Sequence, residues 1–266
     1  SGTNILFTDL NRSTASFEDM DLVSYSINPQ VHAFDNLSLI ETLSAQPETV
    51  KSARQFSNNK FIAVSPITLK MRFNPFATSS ETELKSNQLP PQVDVRQMSL
   101  FGAGWTVGSL KYLCESEAYS LTYYETTGWR GVMETKYGST VPEKFYSFKE
   151  SVFPLYHVFA DVGEFADGEI ISTSSSNPLK INGLAINKEG QIRIILANLV
   201  SEVQQLTVKN LSGSVNIKHL NESNIELAMK SPEAFRVQSF KKHVTANGSL
   251  KFELLPYAIV CIDSTK

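Results

Sequence analysis

The chain has 266 residues, 41% of them hydrophobic, and a formal net charge of −3. That length can bury a substantial core, as one large domain or two ordinary ones, and the composition excludes a disordered, collagen-like or coiled-coil chain. A weakly acidic balance without a Lys/Arg tract predicts no nucleic-acid partner, and the lack of an apolar run of about 18 residues predicts no membrane helix.

The first two predicted strands cover residues 4–9 and 22–27, the second ending before Asn28-Pro29. A helical period follows: Ser38 with Glu41 reads as a capping box, Leu39, Ile40 and Leu43 as an apolar face, and Pro47 as the start of a further helix through Phe56. A third strand spans 61–65. The polar stretch 74–92 is longer than a routine connection and reads as a lid or binding insert. A helix over 97–115, with Phe101, Trp105, Leu110 and Leu113 available to pack, leads to a fourth strand over 119–125. Another helix opens at Pro154. This βα alternation predicts a parallel sheet, whose strand ends would converge on one catalytic face in a barrel.

Beyond Asn177 the texture changes to short alternating segments at 180–186, 191–196, 205–209, 215–219, 224–228, 249–254 and 258–263. Glycine-containing turns separate several of them, which predicts an antiparallel sandwich. The fold class expected is therefore α/β plus all-β. Residues 1–170 form part of a (β/α)8 barrel and residues 171–266 a β-sandwich.

Glu125 is the foremost catalytic candidate. It ends an aromatic strand and precedes Thr-Thr-Gly-Trp-Arg, so its carboxylate could act as nucleophile or general base. The competing reading is that it pairs with an arginine to order the loop. Trp129 could stack on a sugar ring, and Arg130 could hold a carboxylate or hydroxyl. Asn28, Gln30 and His32 form a second cluster, with His32 a candidate acid or base because its reference pKa is near neutrality. Asp35 could hold His32 or the following turn. Asn11 and Arg12, Lys70 and Arg72, and Arg96 complete the candidate binding set; strand-end salt bridges or caps are the alternative for each. No metal-ligand spacing, P-loop, Rossmann glycine pattern or nucleophile elbow is present, so neither metal nor cofactor is expected. Cys114 and Cys261 read as separate buried thiols, and no signal-peptide pattern opens the chain, so a cytoplasmic location is expected.

The runs TDLNR (8–12), SINPQVHAFD (26–35), SPITLK (65–70), RQMSLFGAGWTVGSLKYL (96–113), TYYETTGWRG (122–131) and PLYHVFADVGEF (154–165), with ILANL (195–199) in the sandwich, resemble the D-apionate lactonase family. The resemblance covers almost the whole chain. It implies a glycoside-hydrolase-like (β/α)8 barrel and hydrolysis of D-apionolactone to D-apionate within a complete barrel, without a cofactor. Glu125 would be the carboxylate at a late barrel strand. Asp9 departs from the family, where glutamate is expected. With about four barrel strands, the chain resembles the C-terminal half of the barrel, to be completed by an N-terminal half or a second copy. A small sugar lactone or other carbohydrate is the implied ligand. A retaining glycoside hydrolase and a non-catalytic carbohydrate-binding fragment are the alternatives.

Overall fold

A computed structural model describes residues 2–13, 16–72, 87–211, 213–238 and 240–264. The first part runs β1 (Gly2–Leu6), α1 (Phe7–Arg12), β2 (Leu22–Ile27), α2 (Asn36–Glu41), a 3-10 turn (Thr42–Ala45), α3 (Gln46–Phe56), β3 (Phe61–Ile67), a second 3-10 turn (Val95–Met98), α4 (Leu100–Glu115) and β4 (Ser120–Tyr123). The four strands form one parallel sheet in the order β1-β2-β3-β4. The register pairs Leu6 with Ser26, Ile27 with Ile67, and Ile67 with Tyr123, so the C-terminal strand ends share one rim.

Two local expectations shift in this part. Residues 7–12 are helical rather than a continuation of the strand, because Leu10 turns inward while Asn11 and Arg12 face solvent. The helix after β2 is capped by Asp35, three residues before the expected Ser38; its carboxylate accepts from Ser38 N at 3.0 Å and Ser38 Oγ at 2.7 Å. Most of the expected insert, residues 74–86, lies outside the described residues.

The chain continues through a parallel pair, β5 (Glu125–Thr127) and β6 (Gly131–Met133), and then α5 (Pro154–Glu164). Next come β7 (Glu169–Ile171), β8 (Ile181–Lys188), β9 (Gln191–Asn198), β10 (Gln204–Lys209), β11 (Ser214–Leu220), α6 (Ile225–Lys230), α7 (Pro232–Arg236), β12 (Lys241–Val244), β13 (Ser249–Leu254) and β14 (Ile259–Ser264). An antiparallel sheet, β12-β11-β14-β9-β8-β7, faces the pair β10-β13. The segment expected as a strand at 224–228 falls in α6, whose buried Ala228 and Met229 stand three and four residues from Ile225. The architecture is a partial TIM-type barrel followed by a β-sandwich.

Side chains alternate across the large sheet, and both faces are covered. Leu184, Ile186, Ile195, Ala197 and Ile259 join the core of α4 and α5. Their neighbours Ala185, Ile194, Val260 and Ile262 face Leu250 and Leu254 inside the sandwich. One hydrophobic core therefore passes from the parallel sheet through α4 into β8, β9 and β14.

Hydrolysis of D-apionolactone within a complete barrel needs correction at this point. The parallel sheet is open: β1 and β4 are its edges among the described residues, and four strands are half of the eight that close such a barrel. After β4 the chain leaves the sheet for the β5-β6 pair and the sandwich, so it holds no closed barrel around that reaction.

Candidate active site

The aligned strand ends place three segments on one rim. Behind β2 come Asn28, Gln30 and His32; behind β3 come Lys70 and Arg72; behind β4 come Glu125, Trp129 and Arg130. Thr68 N donates to Ile27 O and Tyr124 N to Ile67 O, both at 3.0 Å, so neighbouring strand ends are tied just where the chain leaves the sheet.

Glu125 is the centre of the cluster. Arg130 Nη2 lies 3.0 Å from its Oε1, and Arg72 Nε lies 3.7 Å from the same oxygen. The second distance is an ion pair but too long for a hydrogen bond. Arg72 Nε is buried without a hydrogen-bond partner among the described residues, while its Nη2 donates to Tyr124 O at 2.5 Å. Burial lowers the Arg72 pKa and the Arg130 charge adds to that, against the raising effect of Glu125. Glu125, Arg72 and Arg130 are 34%, 33% and 37% exposed, so the pairs are reachable by a ligand and too solvated to be large stability terms. Both cations approach Oε1.

The turn beneath this carboxylate is held by its backbone. Glu125 N donates to Arg130 O at 2.9 Å, and Gly131 N to Gly128 O at 2.8 Å. Gly128 has φ +86°, which a Cβ would strain. Gln97, buried before α4, donates its Nε2 to Gly131 O at 2.8 Å. Trp129 is half-buried and fixes its indole by donating Nε1–H to Ser139 Oγ at 2.9 Å.

The neighbouring candidates divide by what their polar atoms do. Arg96 makes a bidentate contact to Asp94 (Nε–Oδ1 2.9 Å, Nη2–Oδ2 2.7 Å), and donates to Gln30 Oε1, Phe34 O and Asn36 Oδ1 at 2.9–3.0 Å. Gln30 in turn donates Nε2–H to Leu69 O at 2.5 Å and Asp94 Oδ2 at 2.6 Å. Burial would raise the Asp94 pKa, but the hydrogen bonds and charge of Arg96 outweigh it and hold the group low. Lys70 Nζ donates to Val93 O at 3.0 Å. His32 is exposed beside that network, and Asp35 serves the α2 cap rather than the imidazole. Asn28 Oδ1 is buried with no donor among the described residues, a cost unless something on the rim supplies one. Asn11 and Arg12 sit exposed on α1, behind the remaining strand end.

Three residues of the rim escaped the sequence reading. Asp94 organises Gln30 and Arg96, and its spacing two before Arg96 was the available signal. Glu134, 3% exposed, accepts from Thr135 N at 2.7 Å and from Ser147 Oγ, which pins the segment after β6. Tyr124, directly before Glu125, was visible only as half of a tyrosine doublet. Among the described residues no group of three or more His, Cys, Asp and Glu could hold a metal ion, and no helix is long and apolar enough to cross a membrane.

Comparisons with known proteins bear on the family and the fold. The family model described as D-apionate lactonase, TIM barrel domain, matches residues 1–167. A D-apionate lactonase from Brucella anthropi is 26% identical over 203 residues, which are 76% of this chain and 32% of that protein. The chain thus spans about a third of the length of the curated relative it matches. Among solved structures, a GH30 endoxylanase from Clostridium papyrosolvens is similar over 100% of this chain and 56% of its own, with TM-score 0.56 and 10% identity. A bifunctional glucanase-xylanase from a metagenome library is similar over 91% of this chain and 43% of its own, with TM-score 0.59 and 11% identity. A rhamnosyl-glucuronidase from Fusarium oxysporum is similar over 98% and 57%, with TM-score 0.58 and 14% identity. At such identities these likenesses carry the fold alone.

Proposed function

The chain belongs to the D-apionate lactonase family, and from that premise we propose that it supplies one wall of a hydrolase site for a small sugar-derived ligand of the lactone class. The observation that carries this reading is the Glu125 carboxylate, anchored through Oε1 by Arg130 and Arg72 on the rim of a parallel sheet. Oε2 takes a proton from water as the water oxygen bonds to the lactone carbonyl carbon; the ring C–O bond then breaks, and the ring oxygen leaves as a hydroxyl with that proton. Arg130, with Arg72 beside it, stabilises the charge that develops on the carbonyl oxygen. Trp129 supplies an apolar wall for the sugar, and His32, exposed after β2, is the second proton carrier on the rim. Asn28, Lys70, Asn11 and Arg12 are the remaining candidate ligand donors. Gln30 and Arg96 act from beneath, through Asp94.

The site is completed by further barrel strands, from an N-terminal half or from a second copy against the open edges of β1 and β4. Light scattering distinguishes the two, since a self-complementing pair doubles the 29.6 kDa mass. Both cysteines are free thiols, which supports a reducing, cytoplasmic setting. The functional test is hydrolysis of five-membered aldonolactones by the completed assembly. Glu125→Gln is expected to lower kcat by about 10²–10⁴-fold, the range of a lost general base. A full rate in that variant would remove Glu125 from the mechanism.

A further inference from the structure

In a regular strand, adjacent side chains point to opposite faces of the sheet. Tyr123 and Tyr124 break that rule. The Tyr123 hydroxyl lies 2.8 Å from Ser109 Oγ and the Tyr124 hydroxyl 2.8 Å from Thr106 Oγ1, so both reach the same helix, at positions one turn apart on α4. The pleat is interrupted at Tyr124, whose φ of +52° lies in the left-handed region that a bulky L-residue rarely adopts. The interruption decides where Glu125 points. With two successive tyrosines turned to the helix, residue 125 leaves the sheet and starts β5 on the rim.

The unusual backbone is held by several contacts at once. Thr106 Oγ1–H is donated to Gly102 O at 2.8 Å, which leaves the Tyr124 hydroxyl as donor to Thr106 Oγ1. Tyr124 N donates to Ile67 O at 3.0 Å, and Tyr124 O accepts from Arg72 Nη2 at 2.5 Å. The ring is 3% exposed and meets Phe159 edge-on. Arg72 thus touches both ends of one device: the carbonyl of Tyr124 and the carboxylate of Glu125. Strained backbone that survives in a folded protein is over-determined by its surroundings, and here the surroundings converge on the residue before the candidate carboxylate.

We propose that Tyr124 is a positioning residue, whose hydroxyl, anchored to Thr106 of α4, aims the Glu125 carboxylate at the ligand. The proposal rests on the reading of Glu125 as the reacting group. Tyr124 touches no ligand, and its effect is confined to the orientation of its neighbour and of Arg72.

The test compares Tyr124→Phe, Thr106→Val and Thr106→Ser in the completed, lactone-hydrolysing assembly, with thermal midpoints measured on the same samples. Tyr124→Phe keeps the ring and loses the anchor, so kcat should fall about tenfold at nearly constant KM, the pattern of an interaction expressed in the transition state. Thr106→Val should match it, Thr106→Ser should restore most of the rate, and the double variant should be no worse than either single one, because both remove the same contact. Unchanged kcat in Tyr124→Phe and Thr106→Val, in an enzyme that Glu125→Gln inactivates, overturns the positioning role and leaves Glu125 in place. A raised KM at constant kcat also overturns it. Full activity of Glu125→Gln, or no lactone hydrolysis by the assembly at all, overturns the parent reading and this proposal together.

Discussion

Arg96 and Arg130 carry the same charge to the same rim and use it differently. The guanidinium of Arg96 is consumed by Asp94, Gln30, Asn36 and the Phe34 carbonyl, whereas Arg130 makes one ion pair among the described residues and stays 37% exposed. Residue type was legible for both, Arg130 behind a strand and Arg96 just before a helix; the difference lies in Asp94, which the folded chain brings between Gln30 and Arg96. Glu125 was likewise legible from its strand end, and pairing with a neighbouring arginine was one of its two readings, as Arg130 shows; the Arg72 contact was not legible, because that residue stands 53 positions away. His157 shows a buried group with a measurable consequence. It is 2% exposed; its Nε2–H is donated to Ala228 O at 2.9 Å, which fixes the neutral tautomer and leaves Nδ1 without a partner among the described residues. Burial pulls its pKa down to about 4 despite that hydrogen bond. The unfolded chain takes up the proton near pH 6.5 and the folded one resists it, so stability is full above about pH 6.5 and is lost as pH falls toward 4. The loss is on the order of 3 kcal/mol. His219, also lowered by burial, acts in the same direction, and Asp161, raised by burial, opposes it at the acid end. Urea unfolding of His157→Gln at pH 7 and pH 4.5 should show a visibly flatter pH dependence than the native chain. An equal slope would mean His157 titrates normally.

At the scale of the element, α4 decides most. Its helical identity and four of its packing residues, Phe101, Trp105, Leu110 and Leu113, could be read in advance, and all four are buried. What could not be read was direction. A helix covered on every side has no polar stripe to give away which neighbour it meets. Glycines supply the answer. A Cβ at Gly102 would stand 2.2 Å from Arg96 O, one at Gly108 2.7 Å from Leu43 Cδ1, and one at Gly104 3.3 Å from Leu199 Cδ2, so the helix approaches the preceding turn, the α2–α3 connection and the sandwich. Gly102→Ala is therefore expected to destabilise by about 1–3 kcal/mol through overpacking against backbone. Gly163 on α5 has nothing within 4 Å of such a Cβ, and Gly163→Ala should stabilise by about 0.5–1 kcal/mol. Denaturant midpoints of the two variants should move in opposite directions. Short edge strands were the other blind spot: β12 (Lys-Lys-His-Val) is exposed at every position and has no apolar alternation to announce it.

For the whole molecule, the change of texture beyond Asn177 announced an antiparallel part after a parallel one, and we propose residues 170 and 171 as the border between barrel part and sandwich. The border does not divide the core. Arg193 of β9 grips Asp263 through Nε and Nη2, both at 2.7 Å, and also donates to Asp161 O and Glu164 Oε2 of α5, at 2.9 and 2.6 Å. Burial works against that charge, but the Asp263 and Glu164 hydrogen bonds hold its pKa raised. Glu115 at the end of α4 accepts from Thr173 N and Oγ1, each at 2.9 Å. The expected outcome is one calorimetric transition for both parts, coincident by near- and far-UV circular dichroism; two resolved transitions would show that the parts fold independently.

The shared helix also sets an order of events in time. Residues 100–115 leave the ribosome long before Ala197 and Leu199, against which Gly104 is fitted. For the interval in which those later residues are made, a helix with almost no polar surface waits beside an unclosed sheet, a species prone to self-association. Chaperone demand during synthesis should thus be governed less by the barrel segment itself than by how soon β8 and β9 arrive to cover it.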